Sequence, residues 1–175
     1  MIILGIDPSL TSTGICVMSE DGRVLESLAI KPDCKGPERL AFFRQSLVNL
    51  IGLRGSRINA FIEGYAFGAN NQREALGELG GVLRITLYDQ CIDMTIVPPT
   101  RLKQFATGKG NADKIAMGVA LMKEFGLEYP TSDQTDAFWL AIFGRAYLGL
   151  TPELPKYRAE IIEDIKNPKK KTKKR

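Results

Sequence analysis

At 175 residues, with 44% apolar and 25% charged side chains, the chain has the size and composition of one globular domain with a proper core. It contains no histidine, which excludes Ser-His-Asp and Cys-His nucleophilic systems and the usual zinc sites. The net charge of +4 is uneven: seven of the 24 Lys and Arg residues fall in 166–175 (KNPKKKTKKR), which leaves 17 against 20 acids elsewhere.

Residues 1–150 are expected to form the folded domain, with 151–165 as a C-terminal extension and 166–175 as a basic, disordered tail. The domain opens on the apolar run Ile2 to Asp7, a strand ending on an acid. Thr13 to Met18 and Val24 to Ile30 are two further β-rich runs, with Glu20-Asp21-Gly22 as the turn between them. A helix fits Pro37 to Ile51, with Leu40, Phe43, Leu47, Leu50 and Ile51 on one face. Ile58 to Glu63 is another short strand that finishes on an acid, and a long helix follows over about Asn70 to Gln90.

Asp93 to Val97 is a fifth strand, stopped by Pro98-Pro99. A Gly- and Lys-rich loop (Ala106 to Gly110) leads to a helix capped near Asn111 and running to about Phe125. A final helix starts near Ser132 and reaches about Leu148. Three hairpin-like strands followed by alternating helices and strands predict an α/β domain with a five-stranded mixed sheet flanked by helices.

Cys16, Cys34 and Cys91 are an odd number without CxxC spacing, and are expected as reduced thiols, two of them buried. The chain starts on a strand pattern rather than a basic leader, and its apolar runs are too short to span a bilayer. A cytoplasmic location, in a bacterium or a phage-infected host, is therefore expected.

Four carboxylates carry the chemistry. Asp7 and Glu63 close apolar strands, where side chains converge at a sheet edge. Asp133 and Asp136 are three apart at the start of the last helix, so both lie on one of its faces. Taken singly, Asp7 could begin an Asp-Pro turn and Asp133 could favour a helix dipole. Taken together, four clustered acids repel one another and call for a cation. Oxygen-only sites suit Mg²⁺ or Mn²⁺, and two such ions serve phosphodiester hydrolysis without histidine.

The segments IILGIDPSLTSTG, FIEGYAFGANNQREAL, TRLKQFATGKGNADK and SDQTDAFWLAI follow one another over roughly residues 2 to 145. In that order they resemble the RuvC family of Holliday-junction resolvases. The resemblance implies an RNase H-like nuclease domain, with Asp7, Glu63, Asp133 and Asp136 as the metal-binding catalytic acids. It also implies a homodimer that nicks two strands of a four-way DNA junction symmetrically.

Lys103 and Lys114 match family lysines near the scissile phosphate, and Arg101 and Lys109 are expected to contact the DNA backbone. The family places an aromatic after the second acid. Here the segment runs about one residue longer, so Tyr65 or Phe67 is the candidate that stacks at the junction centre. Gly77, Gly80 and Gly81 allow close approach of another backbone, the partner's equivalent helix by the resemblance or otherwise the domain's own sheet.

Gly108-Lys109-Gly110 lacks the spacing of a Walker A loop, which argues against nucleotide binding. LGIDPSLTSTG also resembles the phosphate turn of actin-like and sugar-kinase ATPases, which need two such domains. A nuclease branch that processes ribosomal RNA precursors shares the strand-end acids, but the TRLKQ to GKGNADK segment fits RuvC better. A DNA-binding module without catalysis would not need all four acids. A resolvase with relaxed choice, cutting forks and three-way junctions too, is compatible with the longer aromatic segment and with a Lys-rich tail that binds phosphates generally.

Overall fold

The computed structural model describes residues 1–52, 57–64 and 73–168, with only the backbone of Arg73. Five strands form one mixed sheet in the order β3-β2-β1-β4-β5. They are β1 (Ile2–Asp7), β2 (Thr13–Ser19), β3 (Val24–Ile30), β4 (Ile58–Glu63) and β5 (Asp93–Val97). β2 lies antiparallel to both β1 and β3, while β4 runs parallel to β1 and β5. The expected five-stranded α/β architecture is therefore present.

Sequence alternation decides which side chains face each layer. Ile2, Leu4, Ile6, Ile15 and Val17 join one core cluster under helices α1 (Gly36–Gly52) and α2 (Arg73–Asp89). Ile3, Cys16, Met18 and Phe61 point to the other face, covered by α3 (Pro99–Thr107), α4 (Lys114–Phe125), α5 (Ser132–Tyr147) and α6 (Lys156–Lys166). β1 is buried along its whole length because it has strands on both edges and helices on both faces. β3, at one sheet edge, is only partly buried.

α5 is the central helix of its layer, with Ala137, Trp139, Leu140, Ala141 and Phe143 fully buried. Thr131 caps it by accepting from the Gln134 N–H. The Trp139 indole donates to the Met117 carbonyl at 3.3 Å and ties α5 to α4.

Three boundaries differ from the sequence expectation. Pro98-Pro99 ends β5, but Pro99 also begins α3, because a proline in the first turn gives up no helical hydrogen bond. Asp113, not Asn111, caps α4, accepting from the Ala116 N–H at 2.8 Å. Residues 156–166 of the extension and tail form α6, whose Arg158, Ile161 and Ile162 are buried. Lys166 thus ends a helix, its ammonium 5.0 Å from the centre of the Tyr147 ring.

Of the three thiols only Cys16 is buried, while Cys91 is exposed. The surface turn that follows α2 places Cys91 outward. No helix among the described residues is long and apolar enough to cross a membrane.

Candidate active site

The parallel pairing of β1 and β4 puts Asp7 and Glu63 side by side at the same end of the sheet, one residue beyond the Ile6–Ile62 pair. α5 packs across β1 and β2 and brings its first turn to that end. Asp7, Glu63, Asp133 and Asp136 consequently line one cleft of about 340 Å³. Lys103 from α3 and Lys114 from the start of α4 line it too, and Leu76 and Met117 supply apolar wall. Six residues singled out from the sequence thus meet in one place.

The electrostatics are those of crowded acids. Burial, and then the charges of Glu63, Asp136 and Asp133, hold the Asp7 carboxyl well above the ordinary carboxylate range. Burial raises Glu63 as well, opposed by its hydrogen bond with Asp7 and by the charges of Lys103 and Lys114. Burial and the Glu63 charge push Asp136 up to about 7, with the two lysines acting in the opposite direction. The hydrogen bond between Asp7 and Glu63 needs a proton on one of the two carboxyls.

Lys114 donates to the Ser132 hydroxyl at 2.9 Å, beside Asp133. Sequence reasoning missed Ser132, whose importance lies only in its spatial neighbour. It also missed Ser9, a wall residue of the cleft on the β1–β2 turn. That turn is held by the Ser9 N–H donating to the Thr13 hydroxyl and the Thr13 hydroxyl donating to the Ser9 carbonyl.

The other basic candidates stand apart from the acids. Lys109 is exposed on the α3–α4 connection and borders a second cavity of about 490 Å³. The Arg101 guanidinium turns toward α6, donating to Asp164 at 2.8 Å and to Gln104 at 3.0 Å. Tyr65 and Phe67 lie outside the described residues. On α2, a Cβ added to Gly77 or Gly81 would meet nothing within 4 Å among the described residues, whereas Gly80 is buried. Packing on the domain's own sheet therefore does not account for Gly77 and Gly81. Ile85 and Tyr88 of the same helix are exposed.

The donor chemistry of the cleft fits a hard divalent cation: oxygen ligands only, with more negative charge than the pocket tolerates. Among the described residues no three His, Cys, Asp or Glu side chains are already gathered as a metal-holding group. A cation among them would offset the mutual repulsion that raises the Asp7 carboxyl.

Residues 3–143 match the family model described as crossover junction endodeoxyribonuclease RuvC. The chain is 33% identical over 151 residues to the RuvC of Synechococcus sp. (strain WH7803), covering 82% of this chain and 97% of that protein. The RuvC of Rickettsia felis is 30% identical over 148 residues, covering 81% and 95%. Among solved structures, Thermus thermophilus RuvC superposes with a TM-score of 0.71 at 21% identity, over 86% of this chain and 98% of that one. The Fowlpox virus resolvase, solved with Holliday junction DNA, superposes at 0.50 with 10% identity, over 85% and 99%.

Proposed function

Because the chain belongs to the RuvC family of crossover junction endodeoxyribonucleases, a family of metal-dependent nucleases, we propose that this cleft is the catalytic centre of a Holliday-junction resolvase. The observation that carries the proposal is the convergence of Asp7, Glu63, Asp133 and Asp136 with Lys103 and Lys114 around a single cavity. The acids would hold Mg²⁺ or Mn²⁺, two ions per site, which supply an activated water and charge stabilisation at the leaving oxygen.

The chain's own residues do the remaining work. Asp7 and Glu63 sit on adjacent parallel strands, so the backbone ladder rather than flexible side chains sets their spacing. Asp133 and Asp136 are fixed by the capped first turn of α5. Lys103 and Lys114 offer ammonium groups to the negative charge that builds on the scissile phosphate. Leu76 and Met117 restrict water on one side, which strengthens those interactions. Lys109, exposed and unshared with the cleft, takes a phosphate of the DNA backbone. Arg101 keeps further N–H donors for a backbone phosphate beside the one it gives to Asp164.

Paired incision of a two-fold substrate requires two such sites, and we assign the dimer contact to α2. Its exposed Ile85 and Tyr88, and the open space at Gly77 and Gly81, support a face fit for the same helix of a partner.

The test is cleavage of a labelled four-way junction beside matched fork and linear duplex, with Mg²⁺, Mn²⁺ or EDTA. Symmetric, metal-dependent nicks confined to the junction are expected. Comparable cutting of forks would favour the relaxed enzyme, and tight binding without cutting under either metal would reduce the chain to a junction-binding module.

A further inference from the structure

Two of the four acids arrive on α5, so the depth at which that helix seats on the sheet fixes the whole cluster. Two strand glycines form the seat. Gly14 is the register partner of Asp7 across the β1–β2 ladder. A Cβ on Gly14 would overlap the Asp133 carbonyl and stand 3.1 Å from the Asp133 Cβ. A Cβ on Gly5, in β1, would overlap the Ala137 carbonyl oxygen and stand 2.8 Å from the Ala141 nitrogen.

Neither glycine has a positive φ. What the site needs from them is the missing side chain, not unusual backbone freedom.

We infer that Gly14 and Gly5 are positioning residues for the carboxylate set. Gly14 lies between Asp7, its partner in the ladder, and Asp133, whose backbone rests on it. Strand acid and helix acid are thus separated by one bare Cα. A methyl group there would drive the first turn of α5 outward by on the order of 1 Å, a misplacement that can cost about a hundred-fold in an oriented site. α5 has no easy retreat, because Trp139, Leu140 and Phe143 are fully buried among the elements packed against it.

Gly144 provides the contrast. It sits in the last turns of the same helix, and a Cβ there would meet side chains, with Phe61 Cε2 at 2.6 Å and Ile3 Cγ2 at 2.8 Å. Substitution at Gly144 disturbs packing about two helical turns along α5 from Asp136.

The inference rests on the cleft being a metal site, and its test separates the two. Full-length wild type, Gly14→Ala, Gly5→Ala and Gly144→Ala would be compared by thermal unfolding in EDTA, Mn²⁺ calorimetry without DNA, and four-way-junction binding in EDTA. All three variants are expected to lose stability while retaining junction binding. Mn²⁺ affinity should fall by about ten- to a hundred-fold in Gly14→Ala, less in Gly5→Ala, and stay within about two-fold of wild type in Gly144→Ala.

Wild-type Mn²⁺ affinity in Gly14→Ala would overturn the inference, as would an affinity loss in Gly144→Ala matching its loss of stability. If Gly14→Ala does not fold, Gly5→Ala against Gly144→Ala decides the matter by the same criterion. A wild type that binds no Mn²⁺ overturns the metal assignment of the cleft, and this inference with it.

Discussion

The ammonium of Lys114 donates to the hydroxyl of Ser132 at 2.9 Å, one residue before Asp133. The hydrogen bond joins the first residue of α4 to the first residue of α5, so it holds a lysine of one helix against the acids of another. Removing the hydroxyl leaves the lysine charge in place but frees its long stem. Ser132→Ala should slow junction cleavage by roughly three- to ten-fold, the worth of about one hydrogen bond to an exposed charged group. Lys114→Met, which removes the charge itself, should cost on the order of a hundred-fold or more. Single-turnover rates at saturating enzyme measure both. A further loss from Ser132→Ala in the Lys114→Met background would show that Ser132 acts through something other than the lysine.

The amides test the acids directly. Asp7→Asn and Glu63→Gln keep shape and remove charge, so cutting should vanish while junction binding in EDTA stays near wild type. Gel-shift titration beside the cleavage assay checks this. Loss of junction binding in both variants would give the pair a structural role instead.

The acids should also make the metal-free protein sensitive to pH. Asp136 stands at about 7 when folded, against an ordinary value of 3.8, so the folded state holds its proton more tightly than the unfolded chain. Its contribution to stability is complete below about 3.8 and is lost as pH rises through about 7. Asp7 shifts in the same direction. In EDTA the unfolding temperature should therefore fall by several degrees between pH 5 and pH 8, and Mn²⁺ should restore it at the upper end. Asp136→Asn should flatten the metal-free profile, and an unchanged slope in that variant would remove Asp136 as its source.

Much of this was legible in the sequence, for physical reasons that also explain the gaps. Ile2–Asp7 and Ile58–Glu63 are so apolar that an acid at their ends stands out, and both are central strands. Asp133 and Asp136 declared themselves by helical spacing. Lys103 and Lys114 came only through family resemblance, since nothing in their local pattern points inward. α3 was hidden because Pro98-Pro99 reads as a stop, while a proline at the first helical position is equally a start. α6 was hidden because its buried face includes an arginine. Ser132 and Gly14 are relations between distant segments, which no local pattern encodes.

That arginine allows a further prediction. Arg158 is buried, gives two hydrogen bonds of 2.6 Å to Glu124, and donates to the Phe105 carbonyl at 2.8 Å. Its guanidinium carbon also lies 4.8 Å from the centre of the Phe105 ring. It therefore rivets α6 to the ends of α3 and α4, beyond the stretch that matches the family model. Arg158→Met should destabilise the protein by about 3 kcal/mol, because Glu124 and a helix-end carbonyl lose their donor. Urea unfolding measures it, and a change within error would mean that the Arg158 contacts do not hold α6 to the domain.

The Lys-rich end gives the last prediction. Residues 169–175 hold six Lys and Arg and no acid, whereas residues 1–165 are net negative. DNA affinity that depends on such a segment should be unspecific and sensitive to salt, since each phosphate neutralised releases counterions. Removing 169–175, and sparing Lys166 at the end of α6, should weaken binding to junction, fork and duplex alike. It should also make the dependence of log K on log salt shallower by up to about 0.9 for each phosphate no longer neutralised. The rate of cutting at saturating enzyme should not move, because the acids and lysines of the cleft are untouched. If only junction binding weakened, and the salt slope held, the segment would be reading branch geometry rather than phosphate charge.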